Sequence, residues 1–266
     1  MFLACRSGGD VGKRGRDRAG CWIIAFPLLF ASFYLGLFSG DAFSLKVPEI
    51  LQYDLTWAGI KAGGASLEVT DEGAWIRITS TAKSAKWLSL FYVVDDRVES
   101  RLSKERSSSY SIGRPMSYKL VLREGRHRKS KEVIFDRHNS KVTYIDYLDK
   151  EKKEFYVPAL TFDPISSFYY LRTLRLEVGK PVYVTIFDSK KVWNVEVQVL
   201  RKERIEVPAG VFNTIVVKPL MKSEGIFYRK GEIYIWLTDD ARRIPVMLRT
   251  KVKVGSINAN LVGGSY

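Results

Sequence analysis

The feature that most limits what this chain can fold into is a period-two alternation of apolar and polar residues, repeated in short runs. In "VWNVEVQVL", Trp193, Val195, Val197 and Val199 share one face while Asn194, Glu196 and Gln198 share the other. "VMLRTKVKV" directs Leu248, Val252 and Val254 inward and Arg249, Lys251 and Lys253 outward. "WIRITST" and "EIYIWL" read in the same way. Successive side chains of an extended strand point to opposite faces, so each run describes a strand with one face buried. Turn residues separate the runs at Asp71-Glu72-Gly73, Arg123-Glu124-Gly125, His138-Asn139-Ser140, Pro208-Ala209-Gly210 and Lys230-Gly231. Short strands with hairpin-like joints predict a mainly β fold: an antiparallel, strongly curved sheet or open barrel.

Two segments depart from the alternation. Asp163 is placed to cap a helix that begins at Pro164, because an aspartate accepts from free N-terminal amides and proline has no amide to satisfy. Ile165, Phe168, Leu171 and Leu174 follow at helical spacing, and Gly179 is the expected stop. This helix is expected to pack against the sheet. "SAKWLSLFYVV" predicts a shorter helical turn around Trp87 and Leu88.

The first 42 residues are of a different kind. Arg6, Lys13, Arg14, Arg16 and Arg18 precede the apolar run "CWIIAFPLLFASFYLGLF", which gives way to the small residues of "SGDA". That order describes a secretory signal cut near Ala42, or else an inner-membrane tether formed by residues 22–38. Both readings place residues 43–266, a single β-rich domain, outside the cytoplasm. Cys5 and Cys21 both fall in the leader, so no disulfide framework holds the exported domain. The domain keeps 38 basic against 26 acidic residues, a net charge of +12. In that compartment a basic surface suits an anionic lipid or another anionic envelope molecule, and nucleic acid is not expected as a partner.

The charged cluster Asp239-Asp240-Ala241-Arg242-Arg243 sits between Trp236-Leu237 and the strand that follows Pro245. Acid–base catalysis needs two carboxylates whose surroundings push their proton affinities apart, which solvent-facing hairpin neighbours do not provide. Aspartate instead caps backbone amides in turns, so the cluster reads as a turn, with a charged recognition loop as its functional alternative. His127 and His138 have no cysteine or histidine at metal-ligand spacing, so no metal site is expected. No GxSxG, GxGxxG or GxxxxGK[ST] element is present, and no cofactor or catalytic residue is predicted. "AGGAS" marks a strand bulge. The basic run from Arg123 to Lys141, which includes Arg126, Arg128 and Lys129, reads first as a solvated hairpin, with docking on lipid or lipopolysaccharide phosphates as its functional alternative.

Four stretches carry a resemblance: "YDLTWAGIKAGGASLEV", "DPISSFYYLR", "ERIEVPAGVFNTIVVKP" and "GEIYIWLTDDARRIPVMLRTKVKVGSINANL". In order and spacing they resemble the bacterial exported family catalogued as domain of unknown function 3108, over most of residues 48–264. The resemblance implies a mostly β envelope protein and names no reaction. The residues matching its pattern include Asp163-Pro164, Arg172, Trp236 and Asp239-Asp240, of which Arg172 and the aspartates are polar. The candidate binding residues are therefore Arg172, Trp236, Asp239, Asp240, Arg242, Arg243, Arg126, Arg128 and Lys129. The expected function is a non-catalytic envelope protein that binds a lipid or anionic molecule. The alternatives are a module that docks other envelope proteins through a β edge or its basic face, and a glycan hydrolase.

Overall fold

The structure is a computed structural model that describes residues 45–104, 112–220, 232–251 and 255–266. The leader, with its cleavage or tether, lies outside the described residues. The chain divides at Ser39/Gly40. Every described strand, both described helices and both apolar clusters lie in Gly40–Tyr266, so the described interactions of the fold fall within that unit.

Among the described residues, fourteen strands form one antiparallel sheet. One half runs β1 (Glu49–Trp57), β2 (Ile60–Glu72), β3 (Trp75–Ser84), β4 (Asp95–Ser103), β5 (Arg114–Glu124), β6 (His127–Asp136), β7 (Lys141–Asp146) and β8 (Glu151–Tyr156). The other runs β9 (Val182–Asp188), β10 (Lys191–Val207), β11 (Gly210–Pro219), β12 (Ile233–Thr238), β13 (Pro245–Lys251) and β14 (Ser256–Ser265). Each strand pairs with its neighbours in sequence, and β1 pairs with β14 to join the halves. Up-and-down connectivity sends alternate turns to opposite ends of the sheet. The upper rim carries the β1–β2, β3–β4, β5–β6, β7–β8 and β9–β10 connections, and the lower rim carries the β12–β13 and β10–β11 turns.

The sheet is not closed by backbone bonds, since β8 and β9 remain its two edges. Side chains and a strap of chain bridge them instead. Phe155 of β8 packs on Phe187 of β9 with ring centroids 5.5 Å apart, and Glu151 pairs with Lys190. Beyond β8 the chain runs along the β9 edge: Phe162 N–H donates to the Thr185 carbonyl and Phe187 N–H to the Phe162 carbonyl. Arg137 pins the strap by donating to the carbonyls of Ala159 and Thr161. The outer edge of β8 exposes Lys152 and Lys153, charges that discourage further strand addition.

The alternation is realised where it was read. Val195, Val197 and Val199 are buried, and four of the five expected turns lie between strands; Lys230-Gly231, Val252 and Val254 lie outside the described residues. At "AGGAS" the β1–β2 register shifts opposite Gly63, and a Cβ there would collide with the Lys83 carbonyl. Single-face patterning breaks down at β11 and β12. Ile215 and Val217 join the larger apolar cluster while Val216 joins the smaller, so this stretch is buried on both faces.

Helix α1 (Lys86–Ser89) is the short turn expected around Trp87 and Leu88. Helix α2 (Pro164–Thr173) begins at Asp163 as expected but ends six residues before Gly179, because Leu174 is already extended. α2 packs against the sheet as expected, but its burial is not confined to one apolar stripe. Ile165 and Leu171 are buried, and so are Tyr169 and Arg172. The helix therefore sits in the lumen, with β9, β4 and β3 around it.

Its N-terminus is tied to the wall. Asp163 Oδ1 accepts from the Ile165 and Ser166 amides, and Oδ2 accepts from the hydroxyls of Ser166 and of Ser100 on β4. Burial raises the Asp163 carboxyl above its ordinary range, and these donors oppose that shift. Asp163→Ala is expected to cost about 1–3 kcal/mol, because the cap is lost and buried hydroxyls are left unpaired. Asp163→Asn, which keeps an accepting oxygen, should cost clearly less in thermal melts.

Candidate functional site

The C-terminal end of α2 is fixed by a buried ion pair. Arg172 is 0% exposed. Its Nη1 donates to Glu49 Oε2 at 2.8 Å and its Nη2 to Oε1 at 2.7 Å, the parallel two-bond arrangement that suits a planar guanidinium. Nη2 also donates to the Arg242 carbonyl at 3.0 Å, and the Tyr169 hydroxyl donates to Glu49 at 3.2 Å. The guanidinium stacks 4.8 Å from the centre of the Tyr169 ring. Burial alone would lower the Arg172 pKa, but the bonds and charge of Glu49 more than reverse this and raise it. Nearby, the Tyr53 hydroxyl donates to the Pro245 carbonyl at 2.7 Å. Strand β1, the β12–β13 turn and α2 thus meet in one polar knot at the lower rim.

Between the two tied ends, the flank of α2 does not fill the lumen. A half-open cavity of about 250 Å³ remains beside it. Leu67, Ser80 and Val98 form one wall, β9 and β10 contribute Val184 and Val195, and Ile165, Phe168 and Leu171 form the helix side. Pro219, Ile233 and Leu248 extend the lining toward the upper rim. Among its described lining residues only Ser80 and Ser167 bear hydroxyls, and Ser167 already donates to the Pro164 carbonyl. Such a surface repels water and offers an apolar chain a dry environment.

The candidate residues are dispersed. Arg172 is bound inside the knot, where it meets Arg242 only through that residue's backbone. Trp236 is buried in the smaller cluster, where Nε1 donates to Glu203 at 2.5 Å. Asp240 Oδ1 accepts from the Arg242 and Arg243 amides and the Thr238 hydroxyl, which is the turn geometry. Asp239 pairs with Lys202 at 2.6 Å and with Arg243 at 3.6 Å. Arg126 on the β5–β6 turn, and Arg128 and Lys129 at the start of β6, stand at the opposite, upper rim. Among the described residues, no three of His, Cys, Asp and Glu come together as a metal could require.

Glu49 is the residue the sequence reading missed. It shares a strand face with Leu51 and Tyr53, both buried, so an acid in phase with core positions was the available signal. Arg137, read as part of a basic surface, is instead the clasp of the strap.

With the geometry in view, the comparisons decide the family. Residues 52–262 match the family described as Protein of unknown function (DUF3108). The chain belongs to this family. No curated protein matches. Among solved structures, the chain is similar to a β-barrel-like protein of domain of unknown function DUF1849 from Brucella abortus. The TM-score is 0.52 at 13% identity, covering 82% of this chain and 97% of that one. This DUF3108 protein therefore shares a β-barrel-like fold with it. Two weaker likenesses are a protein named as a candidate exported protein with a YmcC-like fold from Bacteroides fragilis and a candidate lipoprotein from Parabacteroides distasonis. The first has TM-score 0.35 at 11% identity, covering 85% of this chain and 100% of that one. The second has TM-score 0.32 at 12% identity, covering 85% and 99%.

Removing one member of a buried ion pair strands the other, so Glu49→Ala or Arg172→Ala should each cost about 3–5 kcal/mol. At this chain length that lowers Tm by roughly 10 °C. The double variant Glu49→Leu/Arg172→Met, which strands neither charge, should recover more than half of the loss. The turn has an acid-sensitive signature. Burial acts to raise the Asp240 pKa, but the bonds from Thr238, Arg242 and the turn amides hold it below its ordinary 3.8. The ionised turn therefore adds stability above that pH and loses it as pH falls further. Asp240→Asn should lower Tm at neutral pH, with the gap to wild type narrowing as the pH drops below 3.8.

Proposed function

We propose that this protein is a non-catalytic binding protein of the cell envelope, which shelters one apolar chain, such as the acyl chain of a lipid, beside α2. The observation that carries this reading is the half-open cavity walled almost wholly by aliphatic and aromatic side chains. Its volume lies just under the roughly 300–1,000 Å³ of ordinary small-molecule pockets. That suits a single chain and not both chains of a phospholipid. Among the described lining residues none is charged, which favours a charged head group at the mouth, near the surface. The basic and apolar leader supports export, and the basic composition of residues 43–266 favours an anionic head group.

Titration with a fluorescent fatty acid tests the reading. Binding should saturate at one probe per protein. Each buried methylene contributes about 0.8 kcal/mol, so a chain shorter by two carbons should bind about fifteenfold more weakly while the cavity is unfilled. Val98→Trp places a large ring at a half-buried position of the wall and should abolish saturable binding with the fold intact. Affinity unaffected by either change would refute the assignment.

A further inference from the structure

The upper rim holds large apolar side chains out in water. Leu90 is 81% exposed and Phe91 85%, with Ile60 at 63% and Trp87 at 43% beside them. Single exposed apolar residues are ordinary, but a cluster of this kind marks a contact surface. It is also built and not loose. Trp87 Nε1 donates to the Lys61 carbonyl at 2.9 Å and Ala85 N–H to the Ala62 carbonyl at 2.7 Å, joining the α1 segment to the start of β2 beside the β1–β2 turn. Gly125 N–H donates to the Val93 carbonyl at 2.7 Å, joining the segment to the β5–β6 turn. Gly125 has φ +56°, and a Cβ there would stand 2.6 Å from Tyr92 Cε2, so the glycine lets the tyrosine ring lie on the turn. Three connections are thus stitched into one platform that leaves Leu90 and Phe91 projecting.

The charge around this platform is predominantly basic, although Glu124 ends β5 at the β5–β6 turn itself and Asp96 accepts from the Arg123 amide beside it. The nearby acids Asp54 and Asp95 are already matched by Lys61 and Lys83. Lys86, Arg126, Arg128 and Lys129 form no ion pair among the described residues, and Arg128 is steadied by donating to the Gly125 and His127 carbonyls. Projecting apolar tips beside a cluster of cations without ion-pair partners among the described residues fit a bilayer whose head groups are anionic: the tips enter the acyl boundary and the cations meet phosphates. We infer that the upper rim, through Leu90, Phe91 and the basic β5–β6 turn, docks this protein on an anionic lipid surface. The cavity lining reaches the same rim at Pro219 and Ile233. Docking would therefore present the cavity end-on to lipid, a role in loading that rests on the acyl-chain reading although docking itself does not.

Co-sedimentation of residues 40–266 with vesicles tests this. Vesicles of equal parts phosphatidylcholine and phosphatidylglycerol should bind the protein, and phosphatidylcholine alone should bind it at least about tenfold less. Leu90→Asp/Phe91→Asp should weaken binding by about tenfold or more. Lys86→Glu/Arg126→Glu should weaken it and flatten its salt dependence. All four positions are exposed, so Tm should not move. Docking-deficient variants should still bind the fluorescent fatty acid, which separates failure of this inference from failure of the cavity reading. No binding to the anionic vesicles, or variants that bind as wild type does, would overturn it. So would wild-type protein that pairs with itself through this rim in place of binding vesicles.

Discussion

Everything inside the barrel depends on a charge that cannot be left alone. Arg172 has no access to water, and an isolated guanidinium there would cost several kcal/mol to bury. Glu49 must meet it, which fixes the start of β1 against the end of α2. The Arg242 carbonyl brings the β12–β13 turn to the same point. At the other end of the helix, Asp163 is bonded to Ser100 on β4. Two polar ties on different strands set the position of α2 across the lumen, and the sheet has to curve around the helix to supply both.

That division of labour explains the cavity. A helix located by apolar packing alone would slide until its sides were filled, since interiors settle near crystal-like density. Here the ties at both ends restrain it, and its flank at Ile165, Phe168 and Leu171 can stand off the wall. The open seam between β8 and β9 is handled in the same economical way. A phenylalanine pair, one ion pair and the strap held by Arg137 replace a row of backbone hydrogen bonds.

Much of this was legible in the residues because strands and turns are local. The alternation of β10, the cap at Asp163-Pro164 and the "TDDAR" turn each depend on neighbours within a few positions, and each lies where it was read. What could not be read depends on partners far along the chain. Glu49 and Arg172 are 123 residues apart. The helix looked one-sided because Ile165, Phe168 and Leu171 form a stripe, while Tyr169 and Arg172 hide their polar atoms in a knot that only the fold creates. Arg137 looked like surface charge because nothing nearby in sequence shows the carbonyls of Ala159 and Thr161 arriving over it. Leu90 and Phe91 belong to an apolar stretch that was read only as a helical turn, and the platform beneath them is what reveals that they face outward.

The central claim is that the lumen beside α2 holds an apolar chain. Native mass spectrometry of the protein isolated from its own cell envelope, followed by extraction of whatever is bound, tests this most directly. The account predicts a discrete one-to-one adduct that extracts as a molecule with a single buried acyl chain and is lost in Val98→Trp. A clean unliganded mass, under conditions that preserve adducts in a known lipid carrier, would contradict it.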